Sequence, residues 1–208
     1  MTNVIEPLNL VKQLNQQLSA TVAQVQESLV QIHNGRHGNG AGIIWHADGL
    51  IITNAHVVRR EQGLKVTLPD GETVPAQVLA YDKKLDLAAL SIVSTNLSAI
   101  TLGDSRQLQP GQWVTALGHP WGVKGAASSG VVIDVGLPPE MSPGGSEFVQ
   151  VGLQLRPGHS GGPLVDVYGH LVGINTMITG PEVGLAVPVH VVKSFLRREL
   201  GEPEVVFV

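Results

Sequence analysis

The sequence contains no cysteine. Disulfides and thiolate metal sites are therefore excluded, and so is a thiol nucleophile, although the compartment stays open on this ground. Charge is sparse as well: 14% of the 208 residues are charged, the formal net charge is -4, and no basic run exceeds two residues. A polyanion, nucleic acid included, is not the expected partner. No stretch of about 18 apolar residues occurs, so no membrane-spanning helix is expected. The start, Met1-Thr2-Asn3 with Glu6 and Pro7, lacks the basic opening, apolar core and small-residue cleavage site of a secretory signal. The expectation is a soluble, cytoplasmic chain. No internal repeat is strong enough to argue from.

What is present points to short strands. Hydrophobic residues make up 43% of a chain that also carries 25 glycines and 13 prolines, a composition of many brief apolar runs joined by turns. The exception comes first. Leu8, Val11, Leu14, Leu18, Val22, Val25 and Leu29 recur at steps of three or four, which predicts an amphipathic helix within residues 1–27. Its stripe is expected to pack on its own domain, with pairing to another subunit as the alternative.

From Ser28 the grammar changes. Apolar runs at Leu29–Ile32, Ala41–Trp45, Leu50–Thr53, Leu64–Leu68, Thr73–Ala80 and Leu87–Ile92 are punctuated by pairs such as Asp48-Gly49 and Asp70-Gly71, predicting six strands over residues 28–95. A less regular connection, 96–111, leads to a second set over 112–187: Gln112–Leu117, Ser129–Val135, Phe148–Leu153, Pro163–Val167, His170–Met177 and Gly184–Val187. Two sets of six short strands imply two closed barrels, because closure removes exposed sheet edges. Val189–Leu200 then reads as a helix, with Arg197 and Arg198 near its end and Gly201 just beyond, inside a final segment of 188–208. The fold class is all-β with one helix at each end.

Function concentrates in Arg156-Pro157-Gly158-His159-Ser160-Gly161-Gly162-Pro163-Leu164. A serine among glycines and prolines sits on a tight turn with little bulk around its hydroxyl and approachable backbone amides, as a nucleophile requires. The oxyanion donors would be the N–H groups of Gly158 and Ser160. Upstream, His56 in Thr53-Asn54-Ala55-His56-Val57-Val58 follows a strand, and Asp86 stands at the mouth of an apolar one. A carboxylate there needs a hydrogen-bonding partner or the surface. His56, Asp86 and Ser160 thus supply a base, an orienting acid and a nucleophile in the order of trypsin-type enzymes. That order puts His56 and Asp86 on the first barrel, Ser160 on the second, and the site in the cleft between.

Those stretches, with Asp86-Leu87-Ala88-Ala89-Leu90, Leu102-Gly103-Asp104-Ser105, Gly118-His119-Pro120-Trp121-Gly122 and Gly173-Ile174-Asn175-Thr176, resemble the protease domain of the HtrA/Deg family of chymotrypsin-fold serine endopeptidases. The resemblance covers roughly residues 20 to 200. It implies a trypsin-like double six-stranded β-barrel, the catalytic residues His56, Asp86 and Ser160, and no metal or organic cofactor. It also implies unfolded or damaged polypeptides as substrates, bound extended against an edge such as Asn175–Ile178, and a homotrimer. A serine peptidase acting in protein quality control is the expected function.

The departures from the family are specific. Members usually carry Asn before the nucleophile, where this chain has His159, so what orders the Gly158 turn is open; the ring either points into the barrel or titrates beside the nucleophile. Phe148–Leu155 differs from the family's usual acid and small residues, and the 208 residues carry no PDZ segment. Gln154 falls at the base of the specificity pocket, where the absence of an acid disfavours Lys or Arg at P1. By resemblance Leu155 and Ile178 line that pocket, with Met177 as the alternative wall, suggesting Val, Ala or Leu at P1; Asn175 and Thr176 bind substrate along the edge. His33 and His37 flank a turn without a third ligand, so no metal site is expected.

Two other readings compete. Gly158-His159-Ser160-Gly161-Gly162 satisfies the esterase elbow with Asp166 and His190 following, but that elbow turns into a helix and the segment after Ser160 reads strand, turn, strand. The second is a catalytically inactive protease-fold module that binds peptides.

Overall fold

A computed structural model describes residues 7–35, 39–58, 63–138, 145–179 and 182–201. His37, weighed above as a metal ligand, lies outside them. The chain opens with helix α1 (Pro7–Gln26) and closes with α2 (Val189–Leu200). Between them, β1 (Leu29–Asn34), β2 (Asn39–His46), β3 (Leu50–Thr53), β4 (Leu64–Thr67), β5 (Thr73–Asp82) and β6 (Leu87–Ile92) close into one antiparallel barrel in the order β1-β2-β3-β6-β5-β4. The second barrel is built from β7 (Trp113–Gly118), β8 (Ala126–Gly136), β9 (Phe148–Gly152), β10 (Pro163–Val165), β11 (Leu171–Thr179) and β12 (Val183–Pro188), ordered β10-β11-β12-β9-β8-β7. The expected double barrel is the fold.

Burial explains why several strands read as unbroken apolar runs. In β6 the residues alternate between two cores: Ala88 and Leu90 fill the first barrel, while Leu87 and Ala89 join a layer shared by both barrels and the helices. Ile44 and Ile51 point inward and Ile43 and Ile52 outward in the same way. The period of two survives, but both faces are covered and both must be apolar. The second barrel has its own interior of Val114, Ala116, Val149, Val151, Leu164 and Val172.

Several strand boundaries move, two of them for a plain local reason. β8 starts at Ala126 rather than Ser129, because Ala126 and Ala127 pair with Gly118 and Leu117; Ala-Ala-Ser carries no alternation to announce a strand. β10 stops at Val165 because Asp166 turns the chain, its Oδ1 accepting the N–H groups of Tyr168 and His170, both at 2.9 Å. The α1 stripe divides. Val25 is buried and Val22 packs on the shared core, and Gln26 Nε2 donates to the Gly125 carbonyl at 2.7 Å, whereas Leu10, Val11 and Leu14 are more than half exposed. The last turns of α1 dock on the second barrel; its first half does not.

Helix α2 crosses from the second barrel to the first. Phe195 and Leu196 insert into the shared core, and Arg198 donates to Asp82 Oδ2 at the end of β5 at 2.6 Å. Phe195 has no exposed surface. Phe195→Ala is expected to cost about 3–5 kcal/mol, read as a drop in the urea midpoint without a change in slope.

Candidate active site

His56 sits in the single helical turn Ala55–Val58 that follows β3, and Asp86 ends the turn that leads into β6. β3 and β6 are hydrogen-bonded neighbours, so both residues leave the barrel at the same rim. Asp86 adopts φ +54, a conformation disfavoured for a residue with a Cβ. Asn54 holds it there: the Asn54 side-chain amide, fully buried, donates to the Asp86 carbonyl at 2.9 Å. So placed, the carboxylate accepts the His56 backbone N–H on Oδ1 at 3.0 Å and meets His56 Nδ1 through Oδ2 at 2.8 Å. The proton of the neutral imidazole is thereby directed to Nδ1, leaving Nε2 as the free base.

Thr176, from the second barrel, completes the carboxylate's shell by donating its hydroxyl to Asp86 Oδ2. The Thr176 carbonyl accepts the Ser160 hydroxyl at 3.1 Å. One residue therefore touches both the acid of one barrel and the serine of the other. The Ser160 hydroxyl is bonded to that carbonyl and not to His56; rotation of its side chain redirects it. By sequence Thr176 belongs to substrate contact alone, and no local pattern announces its link to Asp86.

Gly158 and Ser160 frame the other side of the hydroxyl. Arg156 to His159 form a turn closed by the His159 N–H donating to the Arg156 carbonyl at 2.9 Å, with Gly158 at φ +106. Pro at the second position and a positive φ at the third are the signature of a type II turn. Among the described residues, neither the Gly158 N–H nor the Ser160 N–H has a protein acceptor.

Beside Ser160 lies a cavity of about 250 Å³ lined by Leu155, Arg156, Pro157, Thr176, Met177 and Ile178. Gln154 is not part of it: its side chain is exposed and accepts from the Arg156 guanidinium at 2.6 Å. Asn175 is not part of it either. It is fully buried and donates to the Pro163 carbonyl at 2.8 Å, while its backbone exchanges two 2.9 Å bonds with the nucleophile loop, through the Gly161 N–H and the Gly162 carbonyl. Among the described residues, β11 beyond Ile174 has β12 as its strand partner, and the other edge of Met177 and Ile178 lies beside the cavity.

Electrostatics at the site follow from these contacts. Burial alone would raise the Asp86 pKa, but the His56 ring and Thr176 hydroxyl bonds, the His56 charge and the His56 N–H together hold it below the usual 3.8. A carboxylate depressed in the folded state stabilises the fold fully above pH 3.8 and loses that contribution as pH falls through its native value. The stability gap between the wild type and Asp86→Asn, followed by urea unfolding, is thus expected to be constant from pH 7 to about 4.5 and to narrow below about 3.8.

The chain matches the model of the trypsin-like peptidase domain over residues 40–174. It is 37% identical to human serine protease HTRA4 over 193 residues, 86% of this chain and 40% of that protein. It is also 37% identical to mitochondrial serine protease HTRA2 of Bos taurus over 168 residues, 77% and 36% of the two chains. The chain thus spans about a third to two fifths of the length of the curated relatives it matches. Among solved structures it resembles the HtrA-type protease AlgW with a decapeptide, with a TM-score of 0.82 and 26% identity over 89% of this chain and 68% of that one. With the double barrel, the chain order of its cleft residues and these matches in hand, the chain belongs to the trypsin-like peptidase family, as an HtrA-type protease domain.

Proposed function

We propose that this chain is a serine endopeptidase in which Ser160 attacks a peptide carbonyl, His56 accepts its proton and Asp86 fixes and stabilises the imidazolium. The observation that carries the reading is the pairing of His56 Nδ1 with a half-buried Asp86, which Thr176 joins to Ser160 across the cleft. The serine proton passes to His56 Nε2 as Oγ bonds to the carbonyl carbon. The carbonyl oxygen then takes the negative charge between the two unpaired N–H groups of Gly158 and Ser160. His56 returns the proton to the leaving amine, and water, activated by the same imidazole, cleaves the acyl-enzyme. The inactive-module alternative is not favoured, since nucleophile, base and acid all stand in the cleft.

The substrate is an extended, unfolded polypeptide. The β11 edge at Met177 and Ile178 beside the cavity offers main-chain partners for an added strand, a mode that only an unfolded segment can use. The P1 side chain enters the cavity walled by Leu155, Met177 and Ile178. Among the described residues no carboxylate lines it, and its volume suits Val, Ala or Leu. The exposed Leu10, Val11 and Leu14 of α1 support a homotrimer in which a neighbouring copy covers them.

A fluorophosphonate probe is expected to label Ser160 in the wild type and to label neither Ser160→Ala nor His56→Ala. Turnover of a denatured protein falls on the order of 10⁵-fold or more in both variants. Absence of labelling in the wild type overturns the enzymatic reading. Cut sites mapped by mass spectrometry should follow small or medium aliphatic residues; a majority after Lys or Arg would refute the pocket assignment. Light scattering on the same sample reads three copies or one.

A further inference from the structure

Among the described residues, the turn that presents the Gly158 and Ser160 N–H groups has no ion pair behind it, and its own sequence does not fix it. Pro157 satisfies the second position of type I and type II turns alike, and Gly158 tolerates either sign of φ. In the type I form the Pro157–Gly158 peptide is rotated, so that the Pro157 carbonyl replaces the Gly158 N–H on the face that meets the substrate. Something outside the turn has to hold it.

Two groups do so. On one side, the Gly158 carbonyl accepts the His119 N–H at 2.9 Å, and the contact is so close that a Cβ on Gly158 would stand 2.5 Å from the His119 carbonyl oxygen. On the other side is the His159 ring. It is 3% exposed, and its Nδ1 lies 3.2 Å from both the N–H nitrogen and the carbonyl oxygen of Arg156. The Arg156 carbonyl already accepts the His159 N–H. The tautomer that satisfies more groups therefore carries its proton on Nε2 and accepts the Arg156 N–H through Nδ1; the opposite tautomer would strand that N–H. Burial favours such a neutral ring, pushing its pKa below 6.5 against the pull of the Arg156 carbonyl, and the Arg156 charge acts in the same direction. The two ends of the turn are thus tied twice, once by backbone and once by imidazole. The Arg156 side chain is fixed in turn, its guanidinium 4.6 Å from the Trp121 ring centroid and hydrogen-bonded to Gln154.

We infer that His159 is the positioning residue of the oxyanion site: its buried imidazole, by accepting the Arg156 N–H, holds the 156–159 turn so that the Gly158 and Ser160 N–H groups stay together and unpaired. The inference rests on the serine-peptidase reading of the same cleft. His159 touches no reacting atom, so its loss falls on stabilisation of the tetrahedral state and not on substrate affinity.

The test compares His159→Leu, which fills the space without an acceptor, with His159→Asn, whose Oδ1 stands where Nδ1 does. In His159→Leu, kcat for a peptide substrate should fall by about 100-fold or more while KM stays within about threefold. Affinity for a peptide boronate, which forms a tetrahedral adduct on Ser160, should fall by the same factor. Amide exchange at Arg156 should accelerate, and His159→Asn should recover most of all three losses. Equal kcat in the two variants, a loss confined to KM, or unchanged protection of the Arg156 amide overturns the inference. A wild-type chain that neither turns over peptide nor binds boronate sinks the peptidase reading instead, and the Arg156 exchange rates still judge the clamp.

Discussion

The site depends on a contact between the barrels that admits no side chain. A Cβ on Gly161 would lie 2.1 Å from the Ala41 carbonyl oxygen and 2.2 Å from the Thr53 hydroxyl, both in the first barrel. Next to it, the Ala41 N–H donates to the Ser160 carbonyl at 2.9 Å, and the Thr53 hydroxyl to the Ala41 carbonyl at 2.7 Å. Ala41 belongs to β2 and Thr53 to β3, and β3 is the strand from which His56 departs. The backbone of the nucleophile is therefore bolted to the same sheet that carries its base. A methyl group at Gly161 would have to push the barrels apart, and a shift of an ångström there separates Ser160 from His56 by a similar amount.

The polar contacts around Asp86 extend this dependence. His56 and Asn54 reach it from the first barrel, but the Thr176 hydroxyl comes from the second. A half-buried carboxylate at φ +54 is expensive in an isolated barrel, because one of its donors is missing and the backbone strain of about 1–3 kcal/mol is not offset. Docking supplies the donor. Helix α2 works in the same sense from the far side, rooted in the shared core and joined by Arg198 to Asp82, whose Oδ1 caps the N–H groups of Lys84 and Leu85 just ahead of Asp86. Assembly of the cleft and completion of the fold are accordingly one event.

The strands were legible because turn pairs and apolar runs are local signals, and α2 was legible because Arg197 and Arg198 near its end and Gly201 just beyond are local signals too. His56, Asp86 and Ser160 were legible through motif order. Much of the surrounding shell was not. Position along the chain points Gln154 to the pocket and Asn175 to the substrate edge, but hydrogen-bond partners set the direction of each side chain: Arg156 takes Gln154 to the surface, and the Pro163 carbonyl takes Asn175 inside. Thr176 bonds a residue 90 positions away, which no window of sequence can register. The α1 stripe is periodic throughout, yet only its last turns meet the barrel; periodicity shows that a face can be buried and does not say where the surface to bury it ends.

The location of the unsatisfied polar atoms ties these points together. Among the described residues, five buried side-chain atoms lack a hydrogen-bond partner: Asn34 Oδ1, Asn54 Oδ1, His119 Nε2, His159 Nε2 and Asn175 Oδ1. Such an atom costs about 1–3 kcal/mol, so a fold selected for stability alone would place apolar residues there. Four of the five residues use their other side-chain polar atoms on segments that form the cleft. Asn34 binds the Val57 carbonyl beside His56, Asn54 binds the Asp86 carbonyl, and Asn175 and His159 bracket the nucleophile loop. His119 binds the Gly158 carbonyl through its backbone, and its Nδ1 accepts the Gly125 N–H at 3.3 Å. Each residue gives up one polar atom to fix a backbone group that regular sheet pairing leaves unbonded. The cost is concentrated where strands end and the reacting groups begin, and a variant that recovered it with leucine would gain stability while losing the geometry of the cleft.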